Sequence, residues 1–332
     1  MEHPSEWDSF LARHPAAHIL QTREWGELKS RFGWEAHPVI ESEAGALVLV
    51  RRLPLGLSLA YIPRGPVPAS DFSMAQLLPT LDMLLPSRRV VALLIEPDLP
   101  DSEPVRTGLT RLNLQAGRLS VQPPRTIVVD LTGSEDDILA RMKQKTRYNV
   151  NLAKRHGVLV RAGDDTQAFY ALMQETTERD EFAAHSPAYY EAAFELFSAN
   201  DRVQLLFAEK AGRPLASLMV FTMGQRAWYF YGASSSESRQ QMAPYLLQWE
   251  AMRWARSRGC TSYDMWGVPD LDEPALESGF ASRSDGLWGV YRFKRGFGGR
   301  LERTVGMWQR VYAPAVFRAM MLVMRLRRME AM

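Results

Sequence analysis

Apolar and polar positions change period along this chain, and the changes mark alternating helices and strands. Thr22 stands where a helix N-cap belongs, and Trp25, Leu28 and Phe32 follow at helical spacing, so a helix is expected through about Phe32. Pro4 suits the first turn of an earlier helix. Residues 36–41 and 46–53 read as strands joined by a turn at Ser42–Gly45, and 57–62 as a third strand running into YIPRGP. A helix near 72–85 and strands at 90–96 and 125–131 follow. Ser134, with Glu135 and Asp136 after it, is expected to cap a helix that continues through the basic segment beyond Arg141.

The second half repeats the order. Strands 203–210 and 214–223 flank a turn at Ala211–Gly212, strand 226–232 ends in YFYGASS, a helix is expected at 244–258, and SYDMWGVP (262–269) is the next strand. In each half a hairpin leads to a third strand carrying a tyrosine near its end, Tyr61 and Tyr231. A glycine-containing loop then leads to a helix, and the next strand closes on a proline, in IEP and GVP. The repetition lies in the order of elements rather than in residue identity, and it implies a duplicated domain.

With 332 residues, 46% of them hydrophobic, the chain can bury a sizeable core and is long enough for two domains. The only cysteine, Cys260, excludes an intrachain disulfide, and a reducing, cytoplasmic setting is expected. MEHPSEWDSF does not read as a secretory leader, and no apolar run approaches the roughly 20 residues that cross a bilayer. Net charge is only +2, but it is segregated. Residues 141–161 hold seven cations and no acid, whereas 164–201 hold nine acids against Arg179 alone. Concentrated positive charge in a balanced chain points to an anionic partner.

Three places carry candidate chemistry. At about 100° per residue, Lys143, Arg147 and Lys154 share a stripe opposite Ile138, Met142, Tyr148 and Leu152. Such a cationic face suits a phosphate backbone, whereas Lys145, Arg141 and Arg155 project toward the apolar side, so either the helix is exposed on both flanks or these cations reach around its edges to a ligand. An ordinary charged surface helix gives the same pattern. In LWGVYRFKRGFGG (287–299), Leu287, Val290, Tyr291 and Lys294 share one face, so Lys294 either snorkels or faces a pocket. Gly296 takes the place of a C-cap glycine, and Phe293 projects away from that face. An aromatic ring beside a lysine suits a nucleotide, the ring stacking a base and the ammonium meeting negative charge. Lys29, at the edge of the Trp25–Leu28–Phe32 stripe, fits the rim of a cleft. The six histidines lack metal-ligand spacing, and no nucleophile elbow, P-loop or dinucleotide fingerprint is present. Neither a metal nor a cofactor is expected, and Cys260 reads as a packing residue.

MKQKTRYNVNLAKRHGV (142–158), YGASSSESRQQMAPYLLQWEAMRWARSRGCTSYDMWGVP (231–269) and VYRFKRGFGG (290–299) together resemble the FemABX family of aminoacyl-tRNA-dependent peptidyltransferases. QTREWGELKSRFGW (21–34) and YIPRGPV (61–67) are similar to that family's first domain. The resemblance implies an α/β (α+β) fold of two tandem GNAT-like acyltransferase domains, here 1–133 and 134–306, with a C-terminal helix in 307–332 packing back on the first. No sustained heptad pattern is present, so the shorter type without a coiled-coil arm is expected. It further implies transfer of an amino acid from aminoacyl-tRNA to an amine of the stem peptide of a UDP-linked or lipid-linked muropeptide precursor. Lys294 would steady negative charge at the breaking ester and Phe293 would stack on the tRNA 3′ end. Lys29 would bind precursor phosphates, with Arg179 as a second contact, and Tyr61, Arg64, Tyr231 and Tyr245 would line the precursor cleft. Lys143, Lys145, Arg147, Lys154 and Arg155 would hold the tRNA. A monomer is expected.

Other readings remain open at this stage. In an acetyl-CoA-dependent enzyme the pyrophosphate loop would fall at Arg239-Gln240-Gln241-Met242-Ala243-Pro244, where Met242 replaces a glycine and Pro244 lacks an N–H. A non-catalytic RNA-binding module explains the basic segment but not Lys294, and a different amine acceptor is chemically equivalent. Residues 312–332 mix Val316, Phe317, Met320, Met321, Met324 and Leu326 with Arg318, Arg325, Arg327 and Arg328. That mixture fits a packing helix or a peripheral contact with the inner membrane face.

Overall fold

The computed structural model describes residues 5–118, 120–180, 184–236 and 239–330, without the side chains of residues 180 and 323–330. Pro4 therefore lies outside the described residues, as do the side chains of Met324, Arg325, Leu326, Arg327 and Arg328. The chain forms two compact units, Met1–Gln122 with Arg303–Met332, and Pro123–Glu302.

The first unit opens with α1 (Glu6–Ala12), capped by Ser5, and α2 (Arg23–Ser30), where Thr22 accepts the N–H of Trp25 as the sequence predicts. The hairpin of β1 (Glu35–Glu41) and β2 (Ala44–Arg52) leads to β3 (Ser58–Pro63), α3 (Asp71–Ser87) and β4 (Val90–Glu96). Next come α4 (Glu103–Arg111) and the two-residue β5 (Gln115–Ala116). Met74, Leu77, Leu78, Leu81 and Leu85 of α3 recur at helical spacing and are buried in the core with the inward side chains of β2 and β4.

The second unit begins with β6 (Arg125–Asp130), followed by α5 (Glu135–Arg141), α6 (Gln144–Arg155), β7 (Leu159–Gly163), α7 (Thr166–Asp180) and α8 (Pro187–Ser198). The hairpin of β8 (Val203–Lys210) and β9 (Arg213–Met223) turns at Ala211–Gly212, both with positive φ, as a two-residue hairpin requires. It leads to β10 (Arg226–Ser234), α9 (Ala243–Ser257) and β11 (Ser262–Gly267), and then to α10 (Glu273–Gly279), α11 (Trp288–Lys294) and β12 (Arg300–Arg303). Trp249, Met252 and Ala255 of α9 are buried in the core of this unit with Val220 of β9 and Tyr263 of β11. The chain then returns to the first unit as β13 (Trp308–Val311) and α12 (Pro314–Glu330).

The sheets run β1-β2-β3-β4-β13-β5 and β12-β6-β11-β10-β9-β8-β7. In each, an antiparallel hairpin feeds a third strand, a helix crosses to a parallel fourth, and an antiparallel strand lies beyond: β13 on β4, β6 on β11. The duplication is thus visible in sheet order, and the architecture is mixed α/β with two units of one topology. Among the described residues the longest helices, α3 and α12, span 17 residues each, and no coiled-coil arm is present.

Three expectations shift. The division expected after residue 133 falls at 122/123, because β6 pairs with β11 of the second sheet, and the second division falls at 302/303 rather than 306/307. The stretch 307–332 is not one helix, since β13 precedes α12 and completes the first sheet. The helix capped by Ser134 does not run through the basic segment: Met142 and Lys143 take extended ψ values of 149° and 145°, separating α5 from α6.

Candidate active site

The two sheets differ where their parallel strands end. In the first unit β3 and β4 stay paired to Pro63↔Glu96. In the second, β10 and β11 pair from Arg226↔Ser262 only to Trp228↔Asp264 and then part. Beyond that point β11 bulges. It pairs with β6 at Asp264↔Val128 and next at Gly267↔Thr126, one residue more on β11 than on β6. Trp266 in the bulge has a φ of 64°, a left-handed conformation rare for a bulky side chain, and its ring meets Phe230 of β10 at 4.6 Å.

Lys294 reaches this bulge. Its side chain is buried, 6% exposed, and Nζ donates to the Gly267 carbonyl at 2.8 Å and lies 5.8 Å from the Tyr229 ring centre. Burial pulls the ammonium down to about 7 from an ordinary 10.5, and the charge of Asp264 opposes that pull. The buried face of α11 is Trp288, Tyr291 and Lys294, whereas Leu287 and Val290 are exposed, so the face read from the sequence was right for Tyr291 and Lys294 only. The left-handed cap is Gly298, at φ 79°, and not Gly296, whose carbonyl instead accepts the Lys143 N–H at 2.9 Å. Phe293 is not part of that buried face, yet it is not left in solvent. It packs half-buried against Tyr245 at 5.0 Å and Phe297 at 5.1 Å, and the Tyr245 hydroxyl is hydrogen-bonded to Asn149 of α6.

At the far end of β10, Tyr231 meets Tyr189, Tyr190 and His185 edge to face, and its hydroxyl lies 3.3 Å from that of Tyr189. Arg179 donates to the Ser234 carbonyl at 2.9 Å and so ties α7 to this strand, a structural bond that the sequence did not foretell.

The basic segment divides into holders and exposed cations. Arg147 donates to the carbonyls of Leu139, Ala140 and Met142, filling the open C-terminus of α5, and Arg141 donates to the carbonyls of Asp130 and Thr132. Lys143 sits 3.7 Å from Glu277, and Arg155 lies over the exposed Tyr148 ring. Lys145 and Lys154 are exposed. The face of α6 turned inward is Thr146, Asn149, Val150 and Ala153, not the Tyr148–Leu152 side expected. Arg147→Ala is therefore expected to destabilise the protein by about 1–2 kcal/mol in urea melts, and Lys145→Ala with Lys154→Ala by less than about 0.5 kcal/mol.

In the first unit Lys29 is half-buried with Nζ 4.4 Å over the Trp25 ring, and burial lowers its ammonium to about 8. Tyr61 does not line an open cleft: it is 4% exposed, its hydroxyl donates to Glu96, and burial together with the Glu96 charge raises it well above its ordinary value. Glu96 also accepts the N–H groups of Val121 and Gln122 at 2.8 and 2.9 Å. Arg64 is likewise buried, with φ 55°, its amide on the Glu96 carbonyl and its guanidinium on Thr304 at 2.8 Å. Trp34 stands 6.2 Å from the Tyr61 ring with Arg51 over its own ring at 5.6 Å. Glu96 and Asp264 escaped the sequence reading, although an acid within an otherwise apolar strand, VVALLIE or SYDMW, was a readable signal. No group of three or more metal-ligating side chains occurs among the described residues.

A single buried ammonium, pinned by one carbonyl where two parallel strands part, is suited to meeting an oxygen that gains negative charge, because the water-poor surroundings strengthen that attraction. Comparison with known proteins gives this geometry a context. The lipid II:glycine glycyltransferase of Staphylococcus aureus is 25% identical over an alignment of 395 positions, covering 91% of this chain and 90% of that protein. The alignment exceeds the 332 residues here, so that relative carries segments this chain lacks. The crystal structure of FemX matches with a TM-score of 0.83 at 21% identity, over 96% of this chain and 99% of FemX. L-PGS from Bacillus licheniformis matches at 0.57 and 14%, over 98% and 96%. These two likenesses are ones of fold. The FemAB family itself matches across residues 3–103, 112–211 and 207–325, in both units, and the chain belongs to the FemAB family.

Proposed function

We propose that this protein transfers an amino acid from aminoacyl-tRNA to the stem-peptide amine of a peptidoglycan precursor, in cross-bridge synthesis. Membership of the FemAB family supports the reading, as does a relative named for glycyl transfer to lipid II. The observation that carries it is the buried Lys294 ammonium on the Gly267 carbonyl.

The reaction is aminolysis of an ester. The neutral amine of the acceptor forms the C–N bond, and the ester carbonyl oxygen becomes an oxyanion that the Lys294 ammonium stabilises. The tetrahedral species then expels the ribose oxygen of the tRNA, which takes the proton the amine gives up. No protein base is required, because leaving group and nucleophile exchange the proton between them. Arrival of two polyanionic substrates favours the charged form of Lys294. Phe293, backed by Tyr245 and Phe297, offers a ring to the terminal base, and the exposed Lys145 and Lys154 offer charge to the phosphates. Lys29 contributes a half-buried cation for the precursor's phosphates.

The acetyl-CoA reading has less support. The start of α9 carries Met242 at φ 55° where a glycine would sit, Pro244 has no N–H, and the Tyr245 N–H already bonds the Met242 carbonyl at 3.0 Å. No helix among the described residues is long and apolar enough to cross a membrane, and we propose that a lipid-linked acceptor is met from the surface, where Val316, Arg318 and Leu322 are exposed in the first half of α12. Flotation with anionic vesicles tests that contact, and absence of binding removes it.

The deciding assay combines purified protein, radiolabelled aminoacyl-tRNAs and a nucleotide-linked or lipid-linked stem pentapeptide. Product that vanishes when the tRNA is pre-treated with RNase is expected, and no product from any aminoacyl-tRNA overturns the reading. Lys29→Ala is expected to raise KM for the precursor about tenfold with kcat nearly unchanged, through loss of a charge-assisted contact worth about 1.4 kcal/mol. Unchanged precursor affinity in a titration removes Lys29 from the site.

A further inference from the structure

One acid whose charge acts on the proposed catalytic lysine has no part in the transfer itself. Asp264 is 7% exposed on β11, and its Oδ1 accepts the Trp266 N–H at 2.7 Å and the hydroxyl of Thr126 from the neighbouring β6. The first bond spans two residues of the same strand and closes a tight turn. It holds Trp266 in its left-handed φ and so stabilises the one-residue bulge that separates Asp264 from Gly267. Without the bulge, Trp266 rather than Gly267 would oppose Thr126, and the carbonyl that receives Lys294 would be out of register by one residue, turned toward the other edge of the strand. The position suits glycine, because a Cβ there would stand 2.8 Å from Pro123.

We infer that Asp264 is a positioning residue for Lys294: its carboxylate fixes the bulge that turns the Gly267 carbonyl onto the ammonium, and it sets a negative charge in the same buried site. The inference rests on the reading of Lys294 as the group that meets the oxyanion, which requires the charged form.

Electrostatics around the lysine agree with this. Burial brings Lys294 to about 7, and Asp264 is the charge that opposes it. Tyr229, which faces it, and the tyrosines of the neighbouring elements do not change charge near neutrality. Tyr229 of β10 is raised to about 12 by burial, Tyr263 of β11 stands well above its ordinary value, and Tyr245 of α9 is raised. On its own helix, Tyr291 is raised by burial and by its bond to Glu277 of α10, and the Arg295 guanidinium holds Glu277 at about 2. Lys294 is therefore the group whose protonation a neutral-range titration reads.

Asp264→Asn keeps an oxygen for the Trp266 N–H and removes the charge, whereas Asp264→Ala removes both. The chain has only six lysines, so lysine labelled with 13C at Cε gives a resolvable spectrum in which Lys294 is identified by its loss in Lys294→Met. In Asp264→Asn the Lys294 signal is expected to titrate about one pH unit or more below wild type. Transfer near pH 8 is expected to fall about tenfold in kcat, with KM for both substrates unchanged and recovery at lower pH. Asp264→Ala is expected to lose about a hundredfold at every pH, because the carbonyl is no longer aimed. A Lys294 titration that does not move in Asp264→Asn overturns the inference, and that readout holds even if Asp264→Ala fails to fold. It is also independent of the transfer reading: wild-type protein without transfer activity defeats the proposed function, while the titration still judges Asp264.

Discussion

Lys294→Met is expected to reduce transfer by about a thousandfold, on the scale of losing a principal oxyanion-stabilising donor, while making the protein more stable. Both effects have one cause. A lysine held at about 7 when folded and 10.5 when unfolded binds fewer protons in the native state throughout that interval. Folding therefore works against protonation: the penalty is fully present below about pH 7 and fades as pH rises toward the unfolded value, so stability climbs across that window. At neutral pH the penalty is on the order of 2–4 kcal/mol, and methionine removes it while giving up one hydrogen bond of about 1 kcal/mol to the Gly267 carbonyl. A net gain of about 2 kcal/mol in chemical denaturation near pH 7 is expected, shrinking as pH approaches about 10. Near-normal turnover in the variant sinks the catalytic role. A wild-type stability that does not rise between neutral and alkaline pH sinks the claim that the buried ammonium is strained.

Gly298→Ala is expected to be among the most damaging single-methyl changes in the second unit. Gly298 has φ 79°, and a Cβ there would overlap the carbonyl of Arg141, which is backbone and cannot swing aside. The left-handed conformation alone costs an L-residue about 1 kcal/mol, and the overlap forces α11 and the end of α5 apart, for a total of about 3 kcal/mol or more. Because Lys294 lies one helical turn before this glycine, activity falls with stability. Gly157→Ala is the control: its φ of 74° is similar, but nothing lies within 4 Å of a Cβ there, so only the conformational cost of about 1 kcal/mol is expected. Equal losses in the two variants would show that the Gly298–Arg141 approach carries no weight.

Much of this arrangement was written in local pattern. The hairpins, the third strands, the crossover helices and the caps at Thr22 and Ser134 all announce themselves through spacing and turn residues, and the repeated order of elements revealed the duplication. What local pattern could not show was partnership across the chain. The short strands β5, β7, β12 and β13 owe their existence to neighbours far away in sequence, and β6 reads identically whichever sheet it joins. Side-chain roles divide in the same way. Lys294 was legible because a charge in phase with apolar residues is conspicuous. That Arg147 spends its guanidinium on three carbonyls, and that Tyr61 and Arg64 are buried around Glu96, depends on tertiary contacts that a charge count does not contain. The helix reading of 134–155 failed for a local reason of another kind: Arg147 and the Gly296 carbonyl stabilise a break at Met142–Lys143 that no proline or glycine advertises.

The strand β13 closes the first sheet from a position after the whole of the second unit. The sheet begun first along the chain is therefore the one completed last along it. Every strand of the sheet in Pro123–Glu302 precedes Trp308–Val311 in the chain, so the first sheet stays unbridged between β4 and β5 until the last-made strand is available. A chain cut short before Trp308 would hold every strand of one sheet and an open seam in the other, and that seam is where a wrongly paired strand would find it.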